Sequence, residues 1–149
     1  MANHDDAAVG ILDKGAANGD RRPMISTLSL VALGGAIGAA LRFLSGVAVL
    51  RLAGPQDFPV AVIMVNVIGS FLMGIFVVLA AHKGLTHYSP FVMTGVLGGF
   101  TTFSAFSLET VTLIERQDLT AAGLYVVLSV GLSLAGLMAG LWLARGIFA

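Results

Sequence analysis

The sequence predicts an all-α integral membrane protein, a single bundle of four transmembrane helices. Hydrophobic residues make up 57% of the chain and charged residues 11%, with a mean hydropathy of +0.95, far from the balance of a soluble domain. After Pro23 come four apolar stretches, at residues 24–50, 59–81, 91–114 and 119–144, each longer than the ~20 residues a helix needs to cross the hydrocarbon core. The polar breaks between them are short: Arg51 to Asp57 with Gly54-Pro55, His82 to Pro90, and Glu115-Arg116-Gln117-Asp118. Such loops force consecutive helices to run antiparallel. With 149 residues in all, residues 24–149 form one membrane domain and leave no room for a large soluble one.

The remaining composition narrows the function classes. A formal net charge of zero gives no electrostatic basis for binding nucleic acid. The chain has no cysteine, which removes disulfides, thiolate nucleophiles and cysteine-bound metals. His4, His82 and His87 are scattered without metal-ligand spacing, and the latter two read as solvated loop residues. No nucleophile with a base partner is visible, so an enzyme is not expected. Residues 1–23, MANHDDAAVGILDKGAANGDRRP, hold four aspartates and no apolar run of signal-peptide length, and read as a mobile cytoplasmic tail.

Basic residues specify orientation only weakly. An N-terminus-inside arrangement puts Lys14, Arg21, Arg22, Lys83 and Arg145 in the cytoplasm and Arg51 and Arg116 outside. Two of the five adjoin each other before the first span and the other loops are nearly balanced, so insertion in both orientations stays open. There is no internal duplication, so an inverted-repeat architecture would have to come from pairing two chains. Small residues four apart, Gly34 with Gly38, Ser70 with Gly74, Gly95 with Gly99 and Gly136 with Gly140, mark faces where helices can approach closely in lipid.

Function has to come from polar groups that lipid would reject. Asn66 lies mid-span in VIMVNVIGSF, where its amide either bonds a neighbouring helix or lines a pathway; Ser70 and Gly74 continue its face at four-residue steps. The third span, TGVLGGFTTFSAFSLE, places two glycines and two β-branched threonines at the bilayer centre, a poor helix. We expect it to be broken between Gly98 and Thr102, a conformation tolerated at membrane depth only where backbone groups are buried in protein or line a cavity. Beyond the break, Phe103 with Phe106 and Ser104 with Ser107 sit three apart, each pair sharing one side of the restarted helix. Phenyl rings have an electropositive edge, which suits a small anion, although a phenylalanine pair also serves as ordinary core. In the fourth span Tyr125, Ser129 and Ser133 follow at four-residue spacing and stack three hydroxyls along one face.

Together GGAIGAALRF in the first helix, VNVIGSFLMG in the second, GGFTTFSAFSLE in the third and the Tyr125, Ser129, Ser133 ladder in the fourth resemble the Fluc, or CrcB, fluoride channels. The resemblance covers nearly the whole chain after Pro23. It implies a multi-pass protein of the bacterial inner membrane, an antiparallel dual-topology homodimer with two fluoride pathways. Asn66, Phe103 and Phe106 match the family's pore residues, with hydroxyls of Ser104, Ser107, Tyr125, Ser129 and Ser133 alongside. Gly98 and Thr101 match the positions whose carbonyls hold a central sodium ion that is structural and not transported. Ala105 stands where some relatives carry threonine, and the acidic tail is an extension outside the match.

The chemistry agrees with that implication. Fluoride is small and tightly hydrated, so stripping its water has to be offset by several convergent donors, and neutral donors also let the ion leave. Arg42 matches the family's first-helix arginine and either attracts anions at an entrance or anchors the helix at an interface. Glu109 is either neutral or orients nearby hydroxyls. Two other classes stay open on sequence alone. A proton-coupled small multidrug exporter would need a membrane carboxylate in its first helix, whereas the intramembrane acid here is Glu109 in the third. A non-transporting membrane subunit would have its polar residues facing other helices.

Overall fold

The computed structural model describes the backbone of residues 4–148 and the side chains of residues 24–148; the tail expected over residues 1–23 lies outside the described side chains. The regular elements of the described residues are all helical: α1 (His4–Ala53), α2 (Val60–Lys83), a 3-10 turn (Thr86–Tyr88), a π-helical segment (Pro90–Leu97), the single turn α3 (Gly98–Phe100), α4 (Phe103–Glu115) and α5 (Leu119–Phe148). Four stretches are long and apolar enough to cross a bilayer: Met24–Ala53, Val60–Lys83, Thr86–Glu115 and Leu119–Phe148.

Local chemistry sets the boundaries. Gly84, at φ +66°, takes the left-handed conformation that closes α2, and its N–H donates to the Ala80 carbonyl, a glycine helix stop. Between α4 and α5 the same turn is made by Gln117 at φ 61°. The Gln117 N–H donates to the Ile114 carbonyl at 2.9 Å and the Asp118 N–H to the Leu113 carbonyl at 3.1 Å. Asp118 Oδ1 then accepts the Ala121 N–H at 3.0 Å, capping the start of α5.

Two helix pairs make up most of the packing. The first span lies along the π-helical segment and α3, while α2 lies along α5. Both seams are built on the glycines whose spacing marked them in the sequence. A Cβ added to Gly95 would sit 2.8 Å from the Gly34 Cα, and one added to Gly99 would sit 2.6 Å from the Gly35 carbonyl oxygen. On the second seam a Cβ at Gly74 would strike the Leu137 carbonyl, and one at Gly140 the Phe71 carbonyl. Lipid gives no hydrophobic drive for helices to associate, so this backbone-to-backbone approach, with its dispersion contacts, holds the pairs together. α4 rests mainly on α5, where Tyr125 joins Ile63, Leu113 and Ala122 in a buried cluster. His82 and Lys83 at the end of α2 lie beside Phe148 at the end of α5, with Lys83 Nζ 5.9 Å from the ring centre, so those two helices finish at the same end of the bundle.

The third span is broken, but over a shorter stretch than the sequence suggests. Gly98 is helical, at φ −66° and ψ −36°; only Thr101 (φ −76°, ψ 157°) and Thr102 (φ −151°, ψ 120°) are extended. The glycines that make this segment a poor helix on paper serve instead to bring it against α1, and that contact keeps the chain helical up to Phe100.

The glycine seams give a direct test. Gly140→Val should destabilise the fold by about 2 kcal/mol or more, because the clash is with backbone that cannot repack. Gly131→Ala, on the same helix but with nothing within 4 Å of the added carbon, should stay within about 0.5 kcal/mol of the parent. Thermal unfolding in mild detergent, followed by loss of the monodisperse species, distinguishes the two, and equal behaviour would count against the seam.

Candidate functional site

The site begins at the break. Thr102 is held from α2 by Asn66: the Thr102 N–H donates to Asn66 Oδ1 at 2.7 Å, and Asn66 Nδ2 donates to the Thr102 carbonyl at 3.1 Å. Asn66 thus bonds a neighbouring segment, and it also lines a groove. Thr102 in turn caps α4, its Oγ1 accepting the Ala105 N–H at 3.2 Å. Thr101 returns both its N–H (3.0 Å) and its hydroxyl (2.9 Å) to the Leu97 carbonyl, which ends the first half of the span. Its methyl group rests on buried Gly69 of α2, where a Cβ would strike it.

Alongside the break runs a groove of about 400 Å³ between α2, the break, the start of α4 and the middle of α5. It is lined by Asn66, Gly69, Ser70 and Met73 from α2, by Thr101, Thr102, Phe103 and Phe106 from the third span, and by Ser129, Val130, Ser133 and Leu137 from α5. Five of the residues expected to share a pathway thus meet in one place: Asn66, Phe103, Phe106, Ser129 and Ser133. The two phenyl rings lie 5.3 Å apart between centres, at 43°. Phe103 remains 78% exposed, so it forms a rim of the groove that opens away from the rest of the chain.

Three hydroxyls on α5 differ from most others among the described residues. Serines and threonines in helices usually donate to the carbonyl one turn back, and Ser29, Ser45, Ser107, Thr110 and Thr112 all do so, at 2.8–2.9 Å. Tyr125 Oη, Ser129 Oγ and Ser133 Oγ are buried and none is tied to a helix carbonyl, and the Tyr125 and Ser129 hydroxyls lie close enough to act on each other. A buried hydroxyl gains about 1–3 kcal/mol by finding a partner, and the three along one face of α5 form a row of donors that the helix's own carbonyls do not engage. Tyr125 reaches this row from behind the lining. Its fully buried ring packs edge-on against Phe58 at 5.8 Å and lies 5.4 Å from Phe106, so it also fixes the Phe106 ring from the side away from the groove.

The other sequence candidates lie elsewhere. Ser104 approaches Thr102 Oγ1 at 3.3 Å and Ser107 donates to the Phe103 carbonyl; neither lines the groove within one chain. Arg42 faces a separate, smaller hollow of about 160 Å³ with Gly46, Ala61, Val62, Val65, Thr102 and Ala105, so it stands on the far side of Thr102 from the groove. Glu109 is half-buried on α4, two turns beyond the break and outside both hollows. Gly98 lies in helix three residues before the break, and Thr101 is the first extended residue of the break. Three contributors were not singled out from sequence: Thr102, Gly69 and Phe58. Only Thr102 carried a usable signal, a threonine immediately before a helix, which is the residue type of an N-cap.

A family model described as CrcB-like protein, Camphor Resistance (CrcB), matches residues 29–141. A protein of Roseobacter denitrificans named fluoride-specific ion channel FluC is 70% identical over 125 residues, covering 83% of this chain and 99% of the relative. A protein of the same name from Ruegeria sp. strain TM1040 is 67% identical over 124 residues, covering 83% and 98%, and one from Paracoccus denitrificans is 49% identical over 126 residues, covering 85% and 100%. With the family model spanning the groove, the break and all four membrane-length stretches, the chain belongs to the CrcB family.

Proposed function

We propose that this protein is a fluoride-selective ion channel, a multi-pass protein of the bacterial inner membrane through which fluoride leaves the cytoplasm passively. The observation that carries this is the convergence of the Ser129 and Ser133 hydroxyls of α5, two phenyl rings and the Asn66 amide on one groove. Relatives aligned over nearly their full length are named fluoride-specific ion channels. The groove provides what a small hydrated anion needs, several neutral donors that converge without a fixed positive charge, so that the ion is stabilised yet able to leave. The ring edges of Phe103 and Phe106 add positive potential without offering water or a carbonyl to a competing cation. No energy input is required, because an inside-negative potential favours anion exit by about 2.3 kcal/mol per 100 mV. The protein is a channel and performs no covalent chemistry. Arg42 has no acidic partner in its hollow, which leaves its charge available either to attract an anion or to anchor the first helix at an interface.

In this reading the working unit is an antiparallel homodimer. The basic residues give no strong orientation, the groove opens to one side of the chain, and Phe103 and Leu108 on α4 stay 78% and 66% exposed. A second, inverted copy would close the open side and bring Ser104 and Ser107 to the pathway.

The break also suits a structural sodium ion held by the carbonyls of Gly98 and Thr101 from both chains. In a continuous helix the Gly98 carbonyl would receive the Thr102 N–H and the Thr101 carbonyl the Ala105 N–H; here Asn66 takes the first donor and Thr102 Oγ1 the second. Carbonyl oxygens freed in this way are the hard ligands an alkali cation prefers, and the ion would supply a fixed positive centre tying two chains together.

Three outcomes test these proposals. Purified protein in liposomes should release fluoride and retain chloride, and Phe106→Ile should lower the fluoride flux by about tenfold or more, since it keeps the apolar bulk and removes the ring edge; unchanged flux in the variant would remove the phenyl groups from the pathway. A single cysteine introduced in a loop should react with impermeant reagents from both sides of the membrane, whereas labelling from one side alone would rule out dual topology. Exhaustive replacement of sodium by a bulky organic cation should weaken the dimer and abolish flux together, while Thr101→Ser should be tolerated because its ligand is the backbone. Full flux and an undiminished dimer without sodium would remove the cation.

A further inference from the structure

We infer that Asn66 is a positioning residue that selects the broken form of the third span, independently of any contact it makes with an ion. The geometry of Thr102 decides this. An extended residue presents its N–H and its carbonyl on the same side of the chain, as residues do in a hydrogen-bonded strand pair, whereas a helical residue directs them oppositely along the axis. A carboxamide carries one acceptor and one donor side by side, so it can grip both groups of one residue only when that residue is extended. Thr102, at φ −151° and ψ 120°, is gripped at both points, at 2.7 and 3.1 Å. If the break closed into helix, the Asn66 amide would lose at least one of these bonds, and a part-buried polar group left unpaired is unfavourable.

The same two bonds act in both directions along the chain. Upstream, the captured Thr102 N–H is the donor that Gly98 would otherwise receive. Downstream, the extended Thr102 places Oγ1 over the Ala105 N–H, so α4 restarts at Phe103 and sets the Phe103 and Phe106 rings against the groove. One amide on α2 therefore fixes where the helix stops, where it resumes, and how the rings face. Asparagine is the one side chain that fits at neutral pH: ionised aspartate lacks the donor, glutamine reaches a methylene too far, and leucine of the same shape offers neither group.

Hydrogen exchange at the Thr102 amide tests this without reference to the transported ion. In full-length protein labelled with 15N-threonine and placed in lipid nanodiscs, the Thr102 amide should be strongly protected, although it lies in no helix. Asn66→Ala should lower that protection by about tenfold or more, while Thr101, whose N–H is held by the Leu97 carbonyl, keeps its own. Asn66→Asp provides an arm that a general loss of packing would not reproduce. As the introduced carboxylate, it accepts from the N–H and repels the carbonyl, so protection should fall; once protonated, it has an acceptor and a donor in the places of the amide, and protection should return on acidification. Free exchange at Thr102 in the parent protein overturns the inference, even if neither variant can be produced. So does unaltered protection in Asn66→Ala, or an Asn66→Asp variant whose Thr102 amide is indifferent to pH.

Discussion

Hydrocarbon offers no hydrogen bonds, and that constraint organises the centre of this protein. A helix can stop at the middle of a bilayer only if the donors and acceptors it releases are met by the protein itself. The third span stops at Thr101 and resumes at Phe103, and the intervening residue is met from α2 by a side chain that imitates a peptide unit. Its hydroxyl then supplies the cap for the next helix. The groove follows from this arrangement, because a chain that steps aside for two residues leaves space between α2 and α5 that a straight helix would occupy.

The glycine seams make the step affordable in geometric terms. Gly34, Gly35, Gly95 and Gly99 bring the first half of the third span so close to α1 that its position is fixed before the break is reached. Gly74 and Gly140 do the same for α2 and α5, which sets the width between Asn66 on one side and Ser129 and Ser133 on the other. α4, resting mainly on α5, completes the third wall. Aromatic packing of Phe58, Tyr125 and Phe106 ties that wall to the rest, so the ring that faces the groove is held by rings that do not.

The sequence made much of this legible. Hydropathy depends on composition and not on partners, so the four spans emerged within a few residues of their ends, the third extending back to Thr86 instead of residue 91. Small residues four apart identified both seams, since the same spacing that aligns them on a helix aligns them with a neighbour. The polar residues in apolar surroundings, Asn66, Ser129 and Ser133, converged in one groove because lipid leaves them nowhere else to go. Less legible was anything fixed by long-range register. The partner of Asn66 lies 36 residues away, and nothing local distinguishes Thr102 from Thr101 beside it. Gly98 and Gly99 looked like the point of unwinding because propensity counts what a glycine costs a helix and not what it allows an adjacent helix to do. Tyr125 shared the spacing of Ser129 and Ser133, yet its length carried the ring past the groove into the aromatic cluster. The π-helical winding of Pro90–Leu97 had no signal beyond the proline at its start.

Nine apolar residues are buried among those described, and three of them are alanine, while most leucines and the single tryptophan stand largely outside. That inverts the rule of water-soluble domains, whose identity resides in large interior side chains. Here the big residues are interchangeable wherever lipid tails can flow in to fill the room a smaller one leaves, and the smallest ones are not, because no molecule can be pushed out of a backbone contact to accommodate a methyl group. The architecture is thus encoded by subtraction: what defines it is where side chains are missing, and a drift of ordinary apolar substitutions could rewrite most of the surface while leaving the two seams and the broken strand of backbone between them untouched.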